Sequence, residues 1–331
     1  MKPIAVIAVG GNALSPPGER GTFEEQQRHA RATCVGIADV LAMGFRVLVT
    51  HGNGPQVGEA LLRSELAQPQ LPSLRLDACD AETQGLIGYL LQQTLANVLA
   101  DRGLRLTVTS IVTQVVVDPD DPAFRHPTKP IGPFYRVEEA HERKQKLGWE
   151  LVEDSGRGWR RVVASPKPLE IVELHAIRAC LGANAVVIAA GGGGIPVVRR
   201  HGRYEGIEAV IDKDRVSSVL AMRLKADVLI FSTGVDRVAW HFGRPDQRFL
   251  ERLTSPQARA FLEQGEFPPG SMGPKIEAAL EFLAAGGRRA VITAPENIAR
   301  AVEGEAGTEI LAPVETPACP ERSRRKHTAV A

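Results

Sequence analysis

The opening of the chain constrains its fold more than any other stretch. Residues 4–14, Ile-Ala-Val-Ile-Ala-Val-Gly-Gly-Asn-Ala-Leu, place an apolar run rich in β-branched residues directly before two glycines. Such a run predicts a strand buried on both faces, usually in a parallel sheet. Because ligands of open α/β sheets bind at the carboxyl ends of the strands, Gly10, Gly11 and Asn12 are candidate anion-binding residues. A tight turn without a ligand explains them equally well at this point.

The same arrangement of a strand, a glycine-rich turn and a helix recurs along the chain. Residues 45–50 predict a second buried strand, which leads into His51-Gly-Asn-Gly-Pro55, and Pro55 marks a helix start. We interpret His51 as a local cap or core histidine. A further apolar run at 185–190 ends in four glycines, Gly191–Gly194, which favours a ligand that approaches the main chain. These turns predict a parallel sheet with anion-binding backbone at one edge.

Two other predicted helix starts carry charged residues. Ile211-Asp-Lys-Asp214 precedes a helix predicted over 215–224, for which Asp214 is a candidate N-cap. Gly270-Ser-Met-Gly-Pro-Lys275 leads into a helix predicted over 276–285. A cation at the positive end of a helix dipole is unfavourable unless an anion neutralises both. Lys275 therefore indicates a bound phosphate.

Capping patterns and apolar periodicity predict the other helices. Thr22 and Glu25 form a capping box for a helix that ends at Gly44. An amphipathic helix is predicted over 80–101, and its apolar stripe could cover the sheet or form a subunit contact. Further helices are predicted over 169–181 and after Ser255, taken as an N-cap.

Residues 118–168 differ in composition from the rest of the chain, since they are rich in proline and in charged residues. Fifty residues are too many for a structureless loop, so an inserted subdomain or lid is predicted, with a helix at 137–147 and a hairpin at 149–163. Within it, Lys129 precedes Pro130, and neighbouring prolines could fix its ammonium in place. A solvated surface lysine is the simpler interpretation of this residue alone.

Composition excludes several classes of protein. The chain has 331 residues and a formal net charge of +1, which gives no electrostatic footprint for nucleic acid. Its four cysteines, at 34, 79, 180 and 319, form no C-x-x-C pair, so neither a disulfide framework nor a metal site is expected. Met1-Lys-Pro3 leaves no room for a signal peptide, and no apolar run reaches membrane-spanning length. We expect a cytoplasmic protein without a membrane partner.

Isolated lysines beside glycine turns point to phosphoryl transfer. The sequence contains neither a Walker A motif nor G-x-S-x-G nor H-E-x-x-H. Phosphoryl transfer needs two reactants held in line and positive charge on the moving phosphoryl group. Glycine turns could hold the anions, Lys129, Lys213 and Lys275 could supply the charge, and Asp212 could hold Lys213 and its neighbours in place. A nucleotide kinase outside the P-loop class is the natural hypothesis.

Six stretches in this order and spacing resemble the carbamate kinases, within the amino acid kinase family. The resemblance covers residues 2–311, and it rests on Gly10-Gly-Asn-Ala-Leu14, His51-Gly-Asn-Gly-Pro-Gln56, Lys129-Pro-Ile-Gly-Pro-Phe134, Ala209-Val-Ile-Asp-Lys-Asp214, Phe242-Gly-Arg-Pro-Asp-Gln247 and Gly270-Ser-Met-Gly-Pro-Lys275. One departure is Val238-Ala-Trp-His-Phe242, where many relatives have a tyrosine and an asparagine.

The resemblance implies an α/β fold, a three-layer α/β/α sandwich around an open, mainly parallel sheet, in a homodimer. Residues 1–311 would form one amino acid kinase-like domain. Its first half, 1–182, would bind the carbamate or carbamoyl phosphate and contain the small protruding subdomain at 118–168. Residues 183–311 would bind the nucleotide, and the basic, proline-rich stretch 312–331 is expected to be a disordered tail.

The resemblance also implies a reaction and a set of site residues. ATP plus carbamate would interconvert with ADP plus carbamoyl phosphate, using Mg²⁺, commonly toward ATP in the catabolism of arginine or related nitrogen compounds. Lys213 and Lys275 would flank the phosphoryl group, oriented by Asp212. Lys129 would replace a lysine that related kinases carry on the first strand, where this chain has Ala8. Substrate contacts would come from Gly10, Gly11, Asn12, Gly52, Asn53 and Gly54, and nucleotide contacts from Thr233, Asp236, Trp240, Met272 and Gly273; no metal ligand is assigned to the protein.

Two alternatives stay open. One is a kinase for another small carboxylic acid on the same fold, against which Ala8 and the Lys129 insert argue. The other is a non-catalytic protein that senses a nucleotide or an anion. Loss of a site lysine would be the sign of the second, and all three lysines are present.

Overall fold

The computed structural model describes residues 2–11, 14, 19, 21–154, 156, 158–268 and 270–313. Its strands are β1 (Ile4–Val9), β2 (Arg46–His51), β3 (Val108–Ile111), β4 (Gln114–Val116), β5 (Lys129–Tyr135), β6 (Leu151–Glu153), β7 (Trp159–Val163), β8 (Glu170–Ile171), β9 (Val186–Ala189), β10 (Ile195–Arg200), β11 (Arg203–Gly206), β12 (Val228–Ser232), β13 (Val238–Trp240), β14 (Arg248–Leu250), β15 (Arg252–Thr254), β16 (Arg289–Thr293) and β17 (Thr308–Leu311). Its α-helices are α1 (Phe23–Ala42), α2 (Gly54–Leu66), α3 (Leu76–Asp101), α4 (Val137–Leu147), α5 (Leu174–Gly182), α6 (Lys213–Leu224), α7 (Ser255–Glu263), α8 (Met272–Ala284) and α9 (Ile298–Glu303).

The central sheet has eight strands in the order β15-β17-β16-β12-β1-β2-β9-β3. Every neighbouring pair is parallel except β16 with β17. Strand β1 lies in the middle, bonded to β2 on one side and β12 on the other. Strands from both predicted halves of the chain thus share one continuous sheet, and the division at residue 182 stays a prediction.

Alternate residues of β1 bury their side chains in two different cores. Ile4, Val6 and Ala8 pack in the core that contains residues of α5, α6 and α8. Ala5, Ile7 and Val9 pack in the core that contains residues of α1, α3 and α9. A strand with apolar residues on both faces needs helices on both sides, which explains its unbroken apolar run. The predicted three-layer α/β/α sandwich is confirmed.

The insertion folds as a subdomain of its own. Strands β5, β7 and β6 form a three-stranded antiparallel sheet, and α4 spans the predicted residues 137–147. A small core of Tyr135, Ala140 and Trp149 joins the sheet to the helix. The predicted hairpin is confirmed as β6 and β7, whereas the proline-containing segment that carries Lys129 proves to be a strand.

Five local predictions need correction. Helix α8 starts at Met272 rather than at 276. Helix α3 starts at Leu76 rather than at 80, and α6 starts at Lys213 because Asp212, not Asp214, is its N-cap. The helix predicted from residue 169 starts only at Leu174, since the preceding residues form β8 against β4. Thr254, not Ser255, caps α7. Of the predicted tail, residues 314–331 lie outside the described part.

In the described residues, no helix is long and apolar enough to cross a membrane.

Candidate active site

The glycine turns after β1 and β2 lie side by side at the carboxyl edge of the sheet. Gly10 N donates to Ser232 O at 2.9 Å, and Gly52 N donates to Val9 O at 3.0 Å. A Cβ built on Gly52 would lie only 2.9 Å from Gly11 N and 3.6 Å from Lys213 Cε. Glycine is therefore required where the two turns meet, and the Lys213 side chain lies directly beside them. Asn12, predicted to belong here, lies outside the described residues.

The four-glycine turn after β9 has a structural explanation. A Cβ on Gly192 would lie 2.3 Å from Asn53 Nδ2, and one on Gly193 would lie 2.2 Å from the carbonyl oxygen of Ile211. Both glycines also have positive φ, 68° and 97°. Packing against protein atoms thus accounts for these glycines, and no ligand is needed to explain them.

Lys129 reaches the site from the protruding subdomain. Its Nζ lies 2.5 Å from Asp212 Oδ2, although the two residues are 83 positions apart. The other oxygen of Asp212 accepts from Asp214 N at 2.8 Å and so caps α6. One carboxylate therefore fixes the start of a core helix and binds a lysine of the insertion. This contact excludes a solvated surface lysine at position 129.

Lys213 and Lys275 share a different carboxylate. Lys213 Nζ donates to Asp214 Oδ1, and Lys275 Nζ donates to Asp214 Oδ2 at 3.1 Å. We expected Asp212 to orient these two lysines, but their direct ion-pair partner is Asp214, the predicted N-cap. The error has a simple cause. The helix starts one residue after Asp212, so Asp214 is in its first turn, where its carboxylate binds the two lysines instead of capping the helix.

Neighbouring charges, rather than burial, set the direction in which the pKa values of the two carboxyl groups in this cluster are shifted. Burial alone would raise the pKa of Asp212, but Lys129 and then Lys213 and Lys275 hold it well below its usual range. Burial likewise opposes ionisation of Asp214, and Lys213 and Lys275 lower its pKa. Burial lowers the pKa of Lys213, and Asp214 opposes that shift. The carboxylates are therefore ionised at neutral pH and hold the ammonium groups in fixed positions.

Helix starts converge on the same edge. Helix α6 begins at Lys213 and α8 at Met272, and Lys275 in the first turn of α8 also donates to Ser271 O at 3.1 Å. We inferred a phosphate from the position of Lys275, but Asp214 already supplies the negative charge there. Helix N-termini with exposed N–H groups attract anions, and two lysines beside glycine turns strengthen that attraction. The geometry is suited to a transferring phosphoryl group.

The other predicted site residues lie around this centre. A Cβ on Gly54 would be 3.8 Å from Pro130 O of the subdomain, and Asn53 is buried at the start of α2. Met272 and Gly273 form the first turn of α8. Thr233 follows β12, with its N donating to Thr293 O at 2.9 Å.

Two predicted nucleotide contacts have structural partners. Asp236 Oδ1 accepts from Asn297 Nδ2 at 2.7 Å. Trp240, in β13, stacks on His241 with ring centroids 3.5 Å apart and on Phe261 at 6.3 Å. Their roles toward a nucleotide stay predictions.

Comparison with known proteins gives the family. The model described as "Amino acid kinase family" matches residues 3–294. The chain belongs to the amino acid kinase family. The carbamate kinase of Thermococcus kodakarensis is 45% identical over 309 residues, which are 92% of this chain and 98% of that protein.

Solved structures agree with the fold. A carbamate kinase from Giardia lamblia bound to citric acid superposes with a TM-score of 0.90 at 39% identity, covering 94% of this chain and 99% of that one. The same organism's carbamate kinase bound to AMP-PNP has a TM-score of 0.86 at 40% identity, with coverage of 94% and 99%. The resemblance seen in the sequence motifs is thereby confirmed at the level of family and fold.

Proposed function

We propose that this chain is a carbamate kinase, which transfers a phosphoryl group reversibly between ATP and carbamate. The observation that carries the proposal is the ion pair between Lys129 of the protruding subdomain and Asp212 of the core. A first-strand lysine is absent, because β1 has Ala8, fully buried, at that position. The insertion thus supplies a cation to a site whose first strand has none. The similarity to carbamate kinases along almost the whole chain supports the same reaction.

In the direction of ATP synthesis, an oxygen of the ADP β-phosphate attacks the phosphorus of carbamoyl phosphate and carbamate leaves. Lys213 and Lys275 lie on either side of Asp214 and supply positive charge to the phosphoryl oxygens. Lys129 approaches from the subdomain side, where it neutralises the carboxyl oxygen of the departing carbamate. Backbone N–H groups that follow Gly10 and Gly52 in the two turns hold the anions in line, since the N–H groups of Gly10 and Gly52 themselves bind protein carbonyls. These fixed charges stabilise the transition state without reorganisation.

The Giardia carbamate kinase bound to AMP-PNP supports nucleotide binding, and we place the nucleotide in the carboxyl-terminal half. Its proposed contacts are Thr233, Asp236, Trp240, Met272 and Gly273.

Mg²⁺ accompanies the phosphates. In the described part of the chain no three His, Cys, Asp or Glu residues cluster as metal ligands, and Asp212 and Asp214 already pair with lysines. This donor set fits a cation bound mainly by phosphates and water, as Mg²⁺ commonly is.

A homodimer in the cytoplasm completes the proposal. Leu86 and Tyr89 are exposed one turn apart on α3, and Tyr89 stacks on Phe23 at 6.1 Å. An apolar face of this kind suits contact with a second copy. Sedimentation equilibrium tests the assembly: a dimer is expected, and a monomer at micromolar concentration would contradict it. The physiological direction proposed is toward ATP, in the breakdown of arginine or related nitrogen compounds.

The deciding experiment measures ATP formation from ADP, Mg²⁺ and carbamoyl phosphate, with Lys213→Ala as the inactive comparison. Rapid ATP formation that the substitution abolishes is the expected result. A folded wild-type chain that binds ADP but forms no ATP from carbamoyl phosphate would contradict the proposal. Other acyl phosphates would then be tested as donors, and lack of turnover on all of them would favour the nucleotide-sensing alternative.

A further inference from the structure

Asn53 occupies the N-cap position of α2 but does not cap the helix. Its side chain makes no hydrogen bond to the first turn of α2, although asparagine at an N-cap usually does. Instead, Nδ2 donates to Asp80 Oδ1 at 3.0 Å and to Thr83 Oγ1 at 2.9 Å, both on α3. Asn53 therefore makes no capping bond, and its amide is instead held in one position by two hydrogen bonds to α3.

The hydrogen bonds fix which way round this amide lies. Thr83 Oγ1 donates its own proton to the carbonyl oxygen of Asp80 at 2.9 Å, so it can only accept from Asn53. Nδ2 must therefore face α3, and both of its protons are used. The amide oxygen of Asn53 is the hydrogen-bonding function that remains, and within the described residues no donor reaches it. Asn53 is thus set as an acceptor.

Asp80, which accepts one of the two hydrogen bonds from Asn53, is an unusually buried carboxyl group. It is 1% exposed, and its Oδ2 has no hydrogen-bond partner among the described residues. Burial raises the pKa of Asp80 well above its usual value, and the nearby Asp77 raises it further, against the opposing hydrogen bond from Asn53. A buried carboxyl group with one oxygen unpaired costs free energy, so its presence here needs an explanation beyond packing.

The surroundings leave the Asn53 amide little room to move. A Cβ on Gly192 would lie 2.3 Å from its Nδ2, so the turn after β9 lies directly against the amide and only glycine fits there. Asn53 directly follows Gly52, whose built Cβ would lie 3.6 Å from Lys213 Cε. The residue that carries the fixed acceptor therefore directly follows the glycine that lies beside the lysine proposed to hold the phosphoryl group.

We propose that Asp80, together with Thr83, is a positioning residue that holds Asn53 as an acceptor for the amino group of the acyl substrate. This selects carbamoyl phosphate over acyl phosphates that carry a methyl group instead. The proposal rests on the proposed function and extends it to substrate choice. A site built to accept a hydrogen bond from a substrate N–H discriminates strongly against an analogue that lacks it, because the buried acceptor is then left unpaired.

The test compares kcat/KM for carbamoyl phosphate and for acetyl phosphate, with ADP as acceptor, in matched variants. Asp80→Ala removes the support, and Asp80→Asn keeps an oxygen that accepts from Asn53. Thr83→Val removes the second acceptor of the Asn53 amide with little change in side-chain shape. If Asp80→Ala does not fold, Thr83→Val tests the proposal instead. Thr94→Val is the control, since Thr94 is also a buried polar residue of α3 without a hydrogen-bond partner in the described residues.

We expect the carbamoyl-to-acetyl ratio of kcat/KM to fall about tenfold or more in Asp80→Ala and in Thr83→Val. Asp80→Asn should keep the ratio within about threefold of wild type, and Thr94→Val should leave it unchanged. A purely structural role would lower both activities equally, so an unchanged ratio in folded Asp80→Ala or Thr83→Val would overturn the proposal. Wild-type inactivity on carbamoyl phosphate refutes the proposed function and this selectivity together, whereas an active wild type with unchanged ratios refutes the selectivity alone.

Discussion

The two ion-pair groups of the site differ in how they are built. The first, Lys213 and Lys275 on Asp214, belongs to helices α6 and α8, which pack on the central sheet; the side chains of these lysines are 10% and 12% exposed. The second, Lys129 on Asp212, joins the core to the protruding subdomain, and the Lys129 side chain is 27% exposed. One group is fixed by the core, and the other depends on how the subdomain is seated.

The seating of the subdomain is specified by a contact between two glycines. A Cβ on Gly58 of α2 would lie 2.1 Å from Gly132 Cα and 2.2 Å from Gly132 N, in the same strand as Lys129. Arg160 Nε also donates to Gly132 O at 3.0 Å. Two of the three proposed catalytic lysines are therefore preorganised by the core, whereas the third is placed through a backbone contact between the subdomain and α2.

The largest effect is expected in the core group. Lys275→Ala should lower kcat about 10³-fold, because a charge that stabilises the transition state is lost. The free energy of unfolding should fall only about 2 kcal/mol, since Asp214 keeps Lys213 as its partner. Steady-state kinetics and urea unfolding measure the two quantities. A variant with turnover near wild type would remove Lys275 from the chemistry and leave it as a structural ion pair.

Disturbing the seating contact should have a smaller effect. Gly58→Ala should lower kcat about tenfold, because its Cβ forces β5 away from α2 and moves Lys129. The matched control is Gly85→Ala, at an exposed helical position where a built Cβ has no atom within 4 Å. Adding Lys129→Ala to Gly58→Ala should cost less than it does in wild type. Strictly additive effects would mean that Gly58 does not act through Lys129.

The smallest effect is expected in the free energy of unfolding at acid pH, through a buried histidine on the core side of the site. Burial lowers the pKa of His51 to about 4, and Nδ1 lies 3.2 Å from Gly52 O. The unfolded chain protonates His51 near pH 6.5, so it binds more protons than the folded chain between pH 4 and 6.5. Stability must therefore fall as the pH falls through this window, by about 2–3 kcal/mol in total. The pairs on Asp212 and Asp214 should persist there, because their carboxyl pKa values are lowered.

Urea unfolding at pH 4 and pH 7 checks this, with His51→Gln as the comparison. The variant should lose less stability on acidification than wild type. Equal losses in the two proteins would show that His51 is not the group responsible.

The core side of the site is also the side that sequence patterns predicted best. The apolar strands before Gly10 and Gly52 could be predicted from local sequence, because a strand buried on both faces must be apolar and the tight turn after it needs glycine. Lys213 and Lys275 were predicted as charges beside glycine turns, and the resemblance implied their places around the phosphoryl group. Asp214 was missed because a shift of two residues in the helix start exchanges the roles of two carboxylates, and either could have been the cap.

The subdomain side was predicted less well for a physical reason. The prolines near Lys129 were interpreted only as fixing its ammonium, and no strand was predicted there. The segment is the edge strand β5, and an edge strand tolerates proline because half of its N–H groups need no partner. Gly132, with φ of 72°, lies where the register with β7 shifts. The pairing of β8 with β4 and the Gly58–Gly132 contact are non-local, and no local pattern contains them.

The most direct test of the account is ATP formation from carbamoyl phosphate by Lys129→Ala, measured beside Lys146→Ala. Both lysines belong to the subdomain, but Lys146 is 70% exposed and pairs only with Glu142 one turn away in the described residues. Lys129→Ala should lower kcat about 10²-fold or more, because the insertion's charge is removed from the site. Lys146→Ala should be as active as wild type. If Lys129→Ala kept normal turnover, the subdomain lysine would have no part in the reaction, and the account of a site shared between core and insertion would be wrong.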